Sequence, residues 1–460
     1  FREMYRSYSE RVPIRTYRQF WDDYFAANLH VNGSDRRLLL QDLTWPGMIP
    51  YFCETSGTTA PTKFIPFSRE MFAANRRAAL DLVSAYLSGR PESRIAGSRF
   101  LYMAGSTELT PMGEGVLSGD MSAITLKQGP RLLKAFAEPG EPVSSAPWEQ
   151  RLEGMARLLL RDETIRTVSG VPPWLLLLFR RCEELAGVAA QDCLSHLELV
   201  IHGGTSLAPY LDEFSRLFPD NPPDFLEVLP SSEAFMGFQI YGEPVMRLTP
   251  WYGAFFEFVA LEQLDDNGSP APDAFAVPLE EVQTGQRYAV ILSTCSGLWR
   301  YHIGDTLRFL DTEKYRIEFT GRDRFLDRFE EKITQHEVES AVASLNRFMG
   351  GKVREFMVGP DIANRRHLWV LACAEDKGAP QNPGQFLDTF LMNSNADYAT
   401  FRQQGRISPP AVLMADEELI YQWSRDERGK LGGQSKIPHI DPTLTGEMVA
   451  GLARYAELRR

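Results

Sequence analysis

The order in which strand and helix patterns follow one another restricts the fold more than any other feature of this sequence. Amphipathic helices predicted at residues 172–185 and 207–217 alternate with short apolar strands predicted at residues 100–104, 197–201 and 225–229. Strands that alternate with helices of this length are typical of α/β folds with a partly parallel sheet. The first half of the chain is therefore predicted to form an α/β domain.

From Trp251 onward the pattern becomes rich in predicted strands, at residues 255–261, 288–293, 306–310 and 315–319, with a turn at residues 284–286 before the second of them. This spacing predicts β-hairpins. The chain has 460 residues, which exceeds the roughly 250–300 residues that one hydrophobic core supports. We therefore predict a large N-terminal α/β domain of residues 1–322 with a β-rich subregion, followed by a small mobile C-terminal α+β domain of residues 323–460.

Charge and cysteine content exclude several classes of function. A net charge of -12 argues against nucleic-acid binding, which needs clustered Lys and Arg on phosphates. The five cysteines are scattered without a CxxC pair, so neither a disulfide framework nor a zinc site is indicated. The longest apolar run is too short to span a membrane, and the first residues lack a signal-peptide pattern. A cytoplasmic protein without a membrane or nucleic-acid partner is expected.

A loop rich in hydroxyl groups is the most informative segment. Residues 54–63 read Glu-Thr-Ser-Gly-Thr-Thr-Ala-Pro-Thr-Lys, between two predicted strands. Gly57 permits a positive φ that brings backbone N–H groups close to phosphate oxygens, the hydroxyls donate hydrogen bonds, and Lys63 adds a positive charge. The P-loop spacing is absent, and two prolines favour strand–loop–strand. A Ser/Thr-rich hairpin turn without a ligand explains the composition equally well.

A helix is predicted directly after this strand–loop–strand unit, whose strands are placed at residues 51–54 and 63–67. Ser68 is the expected N-cap, and the helix is expected to stop at Gly89. A spacing near 3.6 residues predicts a buried face, formed by Phe72, Leu80, Val83 and Leu87.

Two further predicted strands end in candidate binding segments. Gly203 and Gly204 follow one of them, where ligands gather in open α/β sheets. Glycines there would let a flat base or an acyl chain lie against the backbone, and an ordinary turn is the alternative. Ser231, Ser232 and Glu233 follow the other strand, and a carboxylate beside two hydroxyls suits Mg²⁺ that bridges phosphates. The alternative is a helix N-cap with Glu233 in the first turn.

Three candidate segments lie in the second half of the chain. Gly304 predicts a turn that presents Asp305 to ribose hydroxyls, and a plain β-turn aspartate is the alternative. Arg322 begins a charged stretch that includes Lys332 and predicts a hinge, although charge runs are more often solvated linkers. Lys436 lies on a glycine-rich loop, and by itself is only a surface lysine.

Taken in this order, the segments resemble the acyl-adenylate-forming superfamily, which includes acyl-CoA synthetases, peptide-synthetase adenylation domains and beetle luciferase. The closest resemblance is to the Gretchen Hagen family of acyl acid amido synthetases, known from plant auxin and jasmonate conjugation and also found in bacteria; the chain is interpreted as a bacterial-type member. The resemblance spans nearly the whole chain. It rests on Val12-Pro13 with Tyr17, Thr55 to Thr59 with Lys63 and Pro66, Ser231-Ser232-Glu233, Tyr301 to Asp305, Gly321-Arg322, and Lys436-Ile437-Pro438.

The resemblance implies an ATP-dependent, Mg²⁺-requiring ligase that adenylates a small carboxylic acid and transfers the acyl group to an amine or amino acid. A monomer is implied as well. The implied site consists of Lys63, Lys332 and Lys436 as catalytic residues, Glu233 as the Mg²⁺ ligand, Asp305 and Arg322 beside the ribose, and Ser56, Gly57, Thr58, Thr59, Gly203, Gly204, Ser231 and Ser232 around ATP.

Two positions depart from the family pattern. Leu229 stands where the family usually has an aromatic ring for adenine, and Pro61-Thr62 replaces the loop glycine before the lysine. Two alternatives to this function stay open, and Leu229 bears on the second of them. One is a ligase with a thiol acceptor such as coenzyme A, and the other is a protein that binds nucleotide or acyl ligand without turnover.

Overall fold

The computed structural model describes most of the chain. The described residues are 2–32, 35–38, 41–55, 63–105, 108–113, 115–128, 136–140, 143–265, 268–322, 325–329, 331, 333–374, 382–428, 437–441, 443 and 445–458.

The strands are β1 (Leu29–Asn32), β2 (Asp35–Leu38), β3 (Tyr51–Thr55), β4 (Lys63–Phe67), β5 (Arg99–Tyr102), β6 (Leu109–Gly113), β7 (Val116–Gly119), β8 (Ala137–Glu138), β9 (Ile165–Gly170), β10 (Leu199–Gly203), β11 (Asp224–Pro230), β12 (Phe235–Gln239), β13 (Met246–Leu248), β14 (Ala254–Ala260), β15 (Val277–Pro278), β16 (Arg287–Thr294), β17 (Tyr301–Phe309), β18 (Arg316–Arg322), β19 (Phe325–Leu326), β20 (Ile333–Thr334), β21 (Val353–Asp361), β22 (Arg366–Cys373) and β23 (Ala411–Asp416).

The α-helices are α1 (Arg2–Arg11), α2 (Tyr17–Tyr24), α3 (Arg69–Gly89), α4 (Met121–Gln128), α5 (Trp148–Arg161), α6 (Pro172–Ala186), α7 (Ala190–Cys193), α8 (Leu211–Leu217), α9 (Gln335–Phe348), α10 (Pro383–Ser394), α11 (Ala396–Gln403), α12 (Leu419–Arg428) and α13 (Glu447–Glu457). Short 3₁₀ helices lie at Ala26–Asn28, Val143–Ser145, Ala208–Tyr210, Leu261–Gln263 and Leu279–Glu281.

The chain divides into two compact units. The first unit comprises Phe1–Ser98, Ala104–Ala137 and Phe225–Asp323, and the second comprises Arg99–Met103, Glu138–Asp224 and Arg324–Arg460. One limit of the units falls beside the boundary predicted after residue 322, whereas residues 138–224 group with the C-terminal segment. The division into residues 1–322 and 323–460 concerns which parts move in solution, and it stays a prediction.

The first unit is rich in β-structure. Its larger set of neighbouring strands has the order β15-β14-β16-β17-β18-β13-β12-β11, and a smaller sheet has the order β4-β3-β7-β6. The pairs β14–β16, β16–β17 and β17–β18 are antiparallel. β16–β17 and β17–β18 are consecutive in the chain and confirm predicted hairpins, whereas β15 lies between β14 and β16. Large buried side chains fill the core of this unit, among them Phe52, Phe67, Phe258, Tyr301 and Phe309.

The second unit combines a parallel strand group with an α+β segment. Strands β5, β9 and β10 are parallel neighbours, and the fully apolar face of α6 is buried beside them. The C-terminal part forms the sheet β21-β22-β23, whose buried side chains pack with those of α9 to α11 and of α12 and α13. The predicted combination of α/β, β-rich and C-terminal α+β parts is therefore observed.

The predicted start and end of helix α3 are confirmed, but its predicted buried face is not. The Ser68 hydroxyl accepts a hydrogen bond from the Met71 N–H at 3.0 Å, and the helix ends at Gly89. The predicted face was wrong, because Leu80 is 56% exposed. The buried residues are Met71, Ala78, Leu82 and Tyr86. Ala78 is small enough for close packing, and a search for large apolar side chains at helical spacing passes over it.

Candidate functional site

The hydroxyl-rich loop joins the two strands that the sequence predicted. β3 and β4 are antiparallel, with Glu54 opposite Phe64 and Thr55 opposite Lys63, so Lys63 is the first residue after the loop. Predicted phosphate ligands of the loop itself lie outside the described residues, namely Ser56, Gly57, Thr58 and Thr59.

The Ser-Ser-Glu segment forms the turn between β11 and β12, which are antiparallel. The alternative of a helix N-cap is therefore wrong. The Ser231 hydroxyl accepts hydrogen bonds from the N–H groups of Glu233 at 3.2 Å and Ala234 at 3.1 Å. Ser232 lies in the same turn. These bonds fix the turn tightly, and they hold the Glu233 carboxylate at a site that is only 8% exposed.

Glu233 lies close to the smaller sheet of the first unit. Burial raises the pKa of the Cys53 thiol on β3, and the negative charges of Glu233 and Asp120 raise it further. The carboxylates of Glu233 and Asp120 therefore lie close enough to β3, the strand that leads into the hydroxyl-rich loop, to raise the pKa of its thiol. Leu229, just before the turn, is 5% exposed and belongs to the core of the first unit.

Asp305 lies within strand β17 and not in a turn, which corrects the sequence prediction. Gly304 has φ +84°, and the pairing of β16 with β17 shifts register between Ala289 and Ile291. The segment is therefore a β-bulge, in which glycine relieves the strain of a positive φ. Asp305 is 6% exposed, and its strand partner is Arg322, so the structure places these two predicted ribose-site positions side by side along the backbone.

A segment near the N-terminus runs beside the Asp305 strand. The Arg15 N–H donates to the Arg300 carbonyl at 3.0 Å, and the His302 N–H donates to the Arg15 carbonyl at 2.9 Å. This pairing brings Tyr17 to Lys63, whose Nζ lies 5.5 Å from the centroid of the Tyr17 ring. Burial, followed by the positive charge of Lys63, lowers the pKa of His302 to about 4. His302 is therefore neutral at physiological pH.

The paired glycines belong to the second unit. β10 ends at Gly203, two residues later than predicted, and Gly204 has φ +86°, which L-residues with a side chain rarely adopt. Thr205 follows with an exposure of 8%, and its hydroxyl has no hydrogen-bond partner within the described part of the chain. Thr205 was not among the residues predicted to bind a ligand, although its place directly after the two glycines was a usable signal.

Lys332 and Lys436 lie outside the described residues, but each has a firmly held neighbour. Glu331 precedes Lys332, and its carboxylate is 2.8 Å from Nε2 of His367 in a fully buried pair. His439 follows Lys436 by three positions, and its Nδ1 and Nε2 lie 2.7 Å and 3.1 Å from carboxylate oxygens of Glu339 and Glu355. Buried His–Glu pairs therefore anchor the chain beside both predicted lysines.

His439 is expected to stay protonated at pH values well above those at which an ordinary histidine loses its proton. Burial alone would lower its pKa, but the hydrogen bonds and charges of Glu339 and Glu355 outweigh burial and raise the pKa from 6.5 to about 10. A raised pKa in the folded state means that this group stabilises the fold fully below pH 6.5 and that its contribution is lost as the pH rises through about 10.

Nuclear magnetic resonance of histidine labelled with ¹⁵N checks this charge state. At about pH 8, where an ordinary histidine is neutral, both ring nitrogens of His439 are expected to be protonated, and His439→Gln identifies the signal. The free energy of unfolding of the wild type is expected to fall on the order of a few kcal/mol between neutral pH and about pH 10. A neutral His439 ring at about pH 8 would contradict the prediction.

The described residues contain neither a cluster of metal ligands nor a helix that could span a membrane. No group of three or more His, Cys, Asp or Glu side chains among them is arranged to hold a metal ion. Within the same part of the chain, no helix combines the length and apolar character needed to cross a bilayer. A single buried carboxylate such as Glu233 is still compatible with Mg²⁺, because Mg²⁺ in nucleotide sites takes most of its ligands from phosphates and water.

The chain matches three consecutive domains of one protein family. The GH3 family N-terminal domain matches residues 2–192, the central domain matches residues 248–322, and the C-terminal domain matches residues 335–442. Indole-3-acetic acid-amido synthetase GH3.10 of Arabidopsis thaliana is 26% identical over 203 residues, which are 40% of this chain and 34% of that protein. The matched stretch thus spans about a third of that relative's length.

Solved structures extend the likeness over nearly the whole chain. The GH3.15 acyl acid amido synthetase superimposes with a TM-score of 0.75 at 16% identity, covering 98% of this chain and 88% of the other. A 2-hydroxyisobutyryl-CoA ligase in its postadenylation state superimposes with a TM-score of 0.55 at 13% identity, covering 96% and 83%. At this level of identity the likeness concerns the fold, and it confirms the predicted acyl-adenylate-forming type.

Proposed function

The chain belongs to the GH3 (Gretchen Hagen) family, and on this basis we propose that it is an ATP-dependent acyl acid amido synthetase. It adenylates a small carboxylic acid and transfers the acyl group to an amine or amino acid, and it releases pyrophosphate and AMP. One observation carries the proposal. The first unit holds a lysine at the end of the hydroxyl-rich loop, a buried carboxylate in the β11–β12 turn and a second buried carboxylate, Asp305, in a strand bulge.

The proposed roles follow the chemistry of each group. Lys63 and the hydroxyls of the preceding loop bind the phosphates of ATP. Asp305 accepts hydrogen bonds from the ribose hydroxyls, beside Arg322. Glu233 holds Mg²⁺, which supplies positive charge that offsets the charge of the phosphate oxygens. Lys332 and Lys436 approach the phosphates when the C-terminal part closes.

Two half-reactions account for amide formation. The carboxylate oxygen of the acid attacks the α-phosphorus of ATP, and the bond to the pyrophosphate oxygen breaks. The amine nitrogen then attacks the acyl carbonyl carbon, loses a proton, and AMP leaves with the electron pair of the broken C–O bond. Adenylation is needed because a carboxylate repels nucleophiles, whereas AMP leaves with a charge that lysines stabilise.

Two alternatives predict different behaviour. A thioester-forming ligase would release AMP with coenzyme A as acceptor and not with amino acids. A non-catalytic homologue would bind ATP without exchanging pyrophosphate with any acid. The replacement of an aromatic residue by Leu229 favours this second alternative, because Leu229 is committed to the hydrophobic core.

The proposal predicts ATP–pyrophosphate exchange that depends on a carboxylic acid. We expect exchange with one class from a panel of aryl, indolyl and aliphatic acids, and AMP release on addition of an amino acid. Lys63→Ala is expected to lower exchange by about 100-fold, since it removes a charge that binds the phosphates. Lys314→Ala, which removes an exposed lysine of the same unit, is the matched control. If the wild type shows no ATP–pyrophosphate exchange with any acid of the panel, the proposal is contradicted.

We also propose a monomeric, cytoplasmic protein of the bacterial type that acts on small molecules without a nucleic-acid or membrane partner. The acidic net charge of -12 supports the absence of a nucleic-acid partner.

A further inference from the structure

Tyr17 contacts both the side chain of Lys63 and the backbone next to it. Lys63 Nζ lies 5.5 Å from the centroid of the Tyr17 ring, and the Tyr17 hydroxyl accepts a hydrogen bond from the Phe64 N–H at 2.8 Å. We propose that Tyr17 is a positioning residue for Lys63: its ring restricts the ammonium group, and its hydroxyl fixes the strand that carries the lysine. The inference rests on the proposed function, in which Lys63 binds the phosphates of ATP.

The place of Tyr17 is fixed on both sides along the chain. Tyr17 is the first residue of α2, directly after the N-cap Thr16, and a capping box of Thr16 with Gln19 fixes the start of the helix. Two residues earlier, Arg15 pairs with Tyr301 of β17 in a parallel bridge. Because both the helix start and the preceding backbone are held, the Tyr17 ring is presented in one direction.

The hydrogen bond of Tyr17 serves an edge strand. Among the described residues, β4 is the last strand of its sheet and pairs with β3 alone. The Phe64 N–H donates to Tyr17 and so points away from β3. An edge N–H without a partner needs water or another acceptor. The Tyr17 hydroxyl supplies that acceptor at the residue after Lys63, which holds the start of β4 in place.

The contact between ring and ammonium is a cation–π contact and not an ion pair. Burial raises the pKa of Tyr17 to about 12, against a smaller lowering by the Phe64 N–H, so the phenol is neutral at physiological pH. A neutral aromatic face attracts an ammonium through its quadrupole. Because the lysine side chain has a flexible four-carbon stem, this contact reduces the number of conformations that the ammonium must lose when it binds phosphate.

Three substitutions separate the ring from the hydroxyl. Tyr17→Leu and Tyr17→Met remove the ring face, and each is expected to weaken Mg·ATP binding by about three- to tenfold, the range that a cation–π contact supports. Tyr17→Phe keeps the ring but removes the acceptor of the Phe64 N–H, and it is expected to weaken Mg·ATP binding by a smaller factor of about two- to threefold. The matched control is Tyr24→Leu, because Tyr24 lies in the same helix and its ring stacks with Arg15, whose Cζ is 5.1 Å from the centroid. The control is expected to leave Mg·ATP binding unchanged.

A double-mutant cycle tests whether Tyr17 acts through Lys63. Calorimetric titration of the intact protein with Mg·ATP gives the affinities of Tyr17→Leu, Lys63→Ala and the double variant, and Tyr17→Met takes the place of Tyr17→Leu where that variant does not fold. We expect the double variant to bind no more weakly than Lys63→Ala, since a positioning residue has no effect once its target is gone. Exchange kinetics are expected to show a raised KM for ATP in Tyr17→Leu with little change in kcat.

The outcomes separate this inference from the proposed function. Three results would overturn the role of Tyr17. The first is that the losses of affinity in Tyr17→Leu and Lys63→Ala add up in the double variant. The others are full Mg·ATP affinity in both ring-free variants, or full Mg·ATP affinity in Lys63→Ala. If the wild type binds Mg·ATP but does not exchange pyrophosphate, the amido synthetase proposal alone would be overturned. The role of Tyr17 could still be tested, because the double-mutant cycle measures Mg·ATP affinity and not catalysis. A wild type that does not bind Mg·ATP would overturn both.

Discussion

Arg300→Met is expected to lower the free energy of unfolding by about 3–5 kcal/mol, because it leaves a buried carboxylate without its partner. Arg300 is 5% exposed and Glu257 is 0% exposed. The Arg300 Nε donates to both carboxylate oxygens of Glu257 at 3.0 Å. Its Nη1 also donates to the carbonyls of Ser9 and Val12 at 2.9 Å and 2.8 Å, so the substitution also releases the C-terminal end of α1 and the residue that follows it.

Urea unfolding followed by tryptophan fluorescence measures this effect. The matched control is Arg308→Met, whose salt bridge with Glu318 on neighbouring strands is partly exposed, and we expect it to cost less than about 1 kcal/mol. The double variant Arg300→Met/Glu257→Met is expected to recover part of the loss, because no buried charge is then left uncompensated. Equal costs for Arg300→Met and Arg308→Met would show that burial adds nothing to the pair.

Lys436→Ala is expected to reduce acid-dependent ATP–pyrophosphate exchange by about 100- to 1,000-fold, the effect of removing one charge that stabilises the transition state. The prediction rests on the proposed role of Lys436 at the phosphates. Lys430→Ala removes the same charge six residues earlier in the chain, and is expected to keep normal exchange. Circular dichroism and thermal unfolding check that both variants fold. Normal exchange rates in a folded Lys436→Ala protein would exclude the proposed role.

The sequence predicted those parts of the fold that depend on local patterns. The structure confirms four of these predictions: the two strands on either side of the hydroxyl-rich loop, the N-cap and end of α3, helix α6, and hairpins of the β-rich region. Each depends on residues close together in the chain, such as a cap at Ser68 or a turn between two apolar runs. The buried face of α3 was wrong because it depends on what the helix packs against, and the sequence pattern does not include that partner.

In the candidate site as well, the sequence predicted local features better than those that depend on packing. The sequence predicted Lys63, Glu233 and Asp305 as site residues, and those roles stay predictions, but it described Gly304 and Asp305 as a turn. Gly304 takes its positive φ in a bulge, and that bulge exists because the register of β17 against β16 shifts by two residues between Ala289 and Ile291. Register between strands depends on the packing of the whole sheet, so a reading of five residues does not contain it.

Contacts between distant residues were the least accessible to sequence analysis. Tyr17 entered the family resemblance as a motif residue, and nothing in its neighbourhood indicated that its ring reaches Lys63. The two residues meet because the backbone of Arg15 pairs with β17 while the antiparallel pairing of β4 with β3 fixes the strand that begins at Lys63. Likewise, His439 and its two glutamates are separated by 100 and 84 positions, and only the fold shows that they form one buried cluster.

The cover that Tyr17 provides over the outer edge of β4 has a consequence for solubility. A bare edge strand offers unpaired N–H and C=O groups on which a strand from another molecule can add, and this is a common start of aggregation. Here the N–H of Phe64 is already taken by Tyr17, and Trp21 of the same helix packs against the Phe64 ring, with centroids 5.9 Å apart. Helix α2 therefore protects the outer edge of β4, the strand that follows the hydroxyl-rich loop in the chain, from the addition of a strand of another molecule.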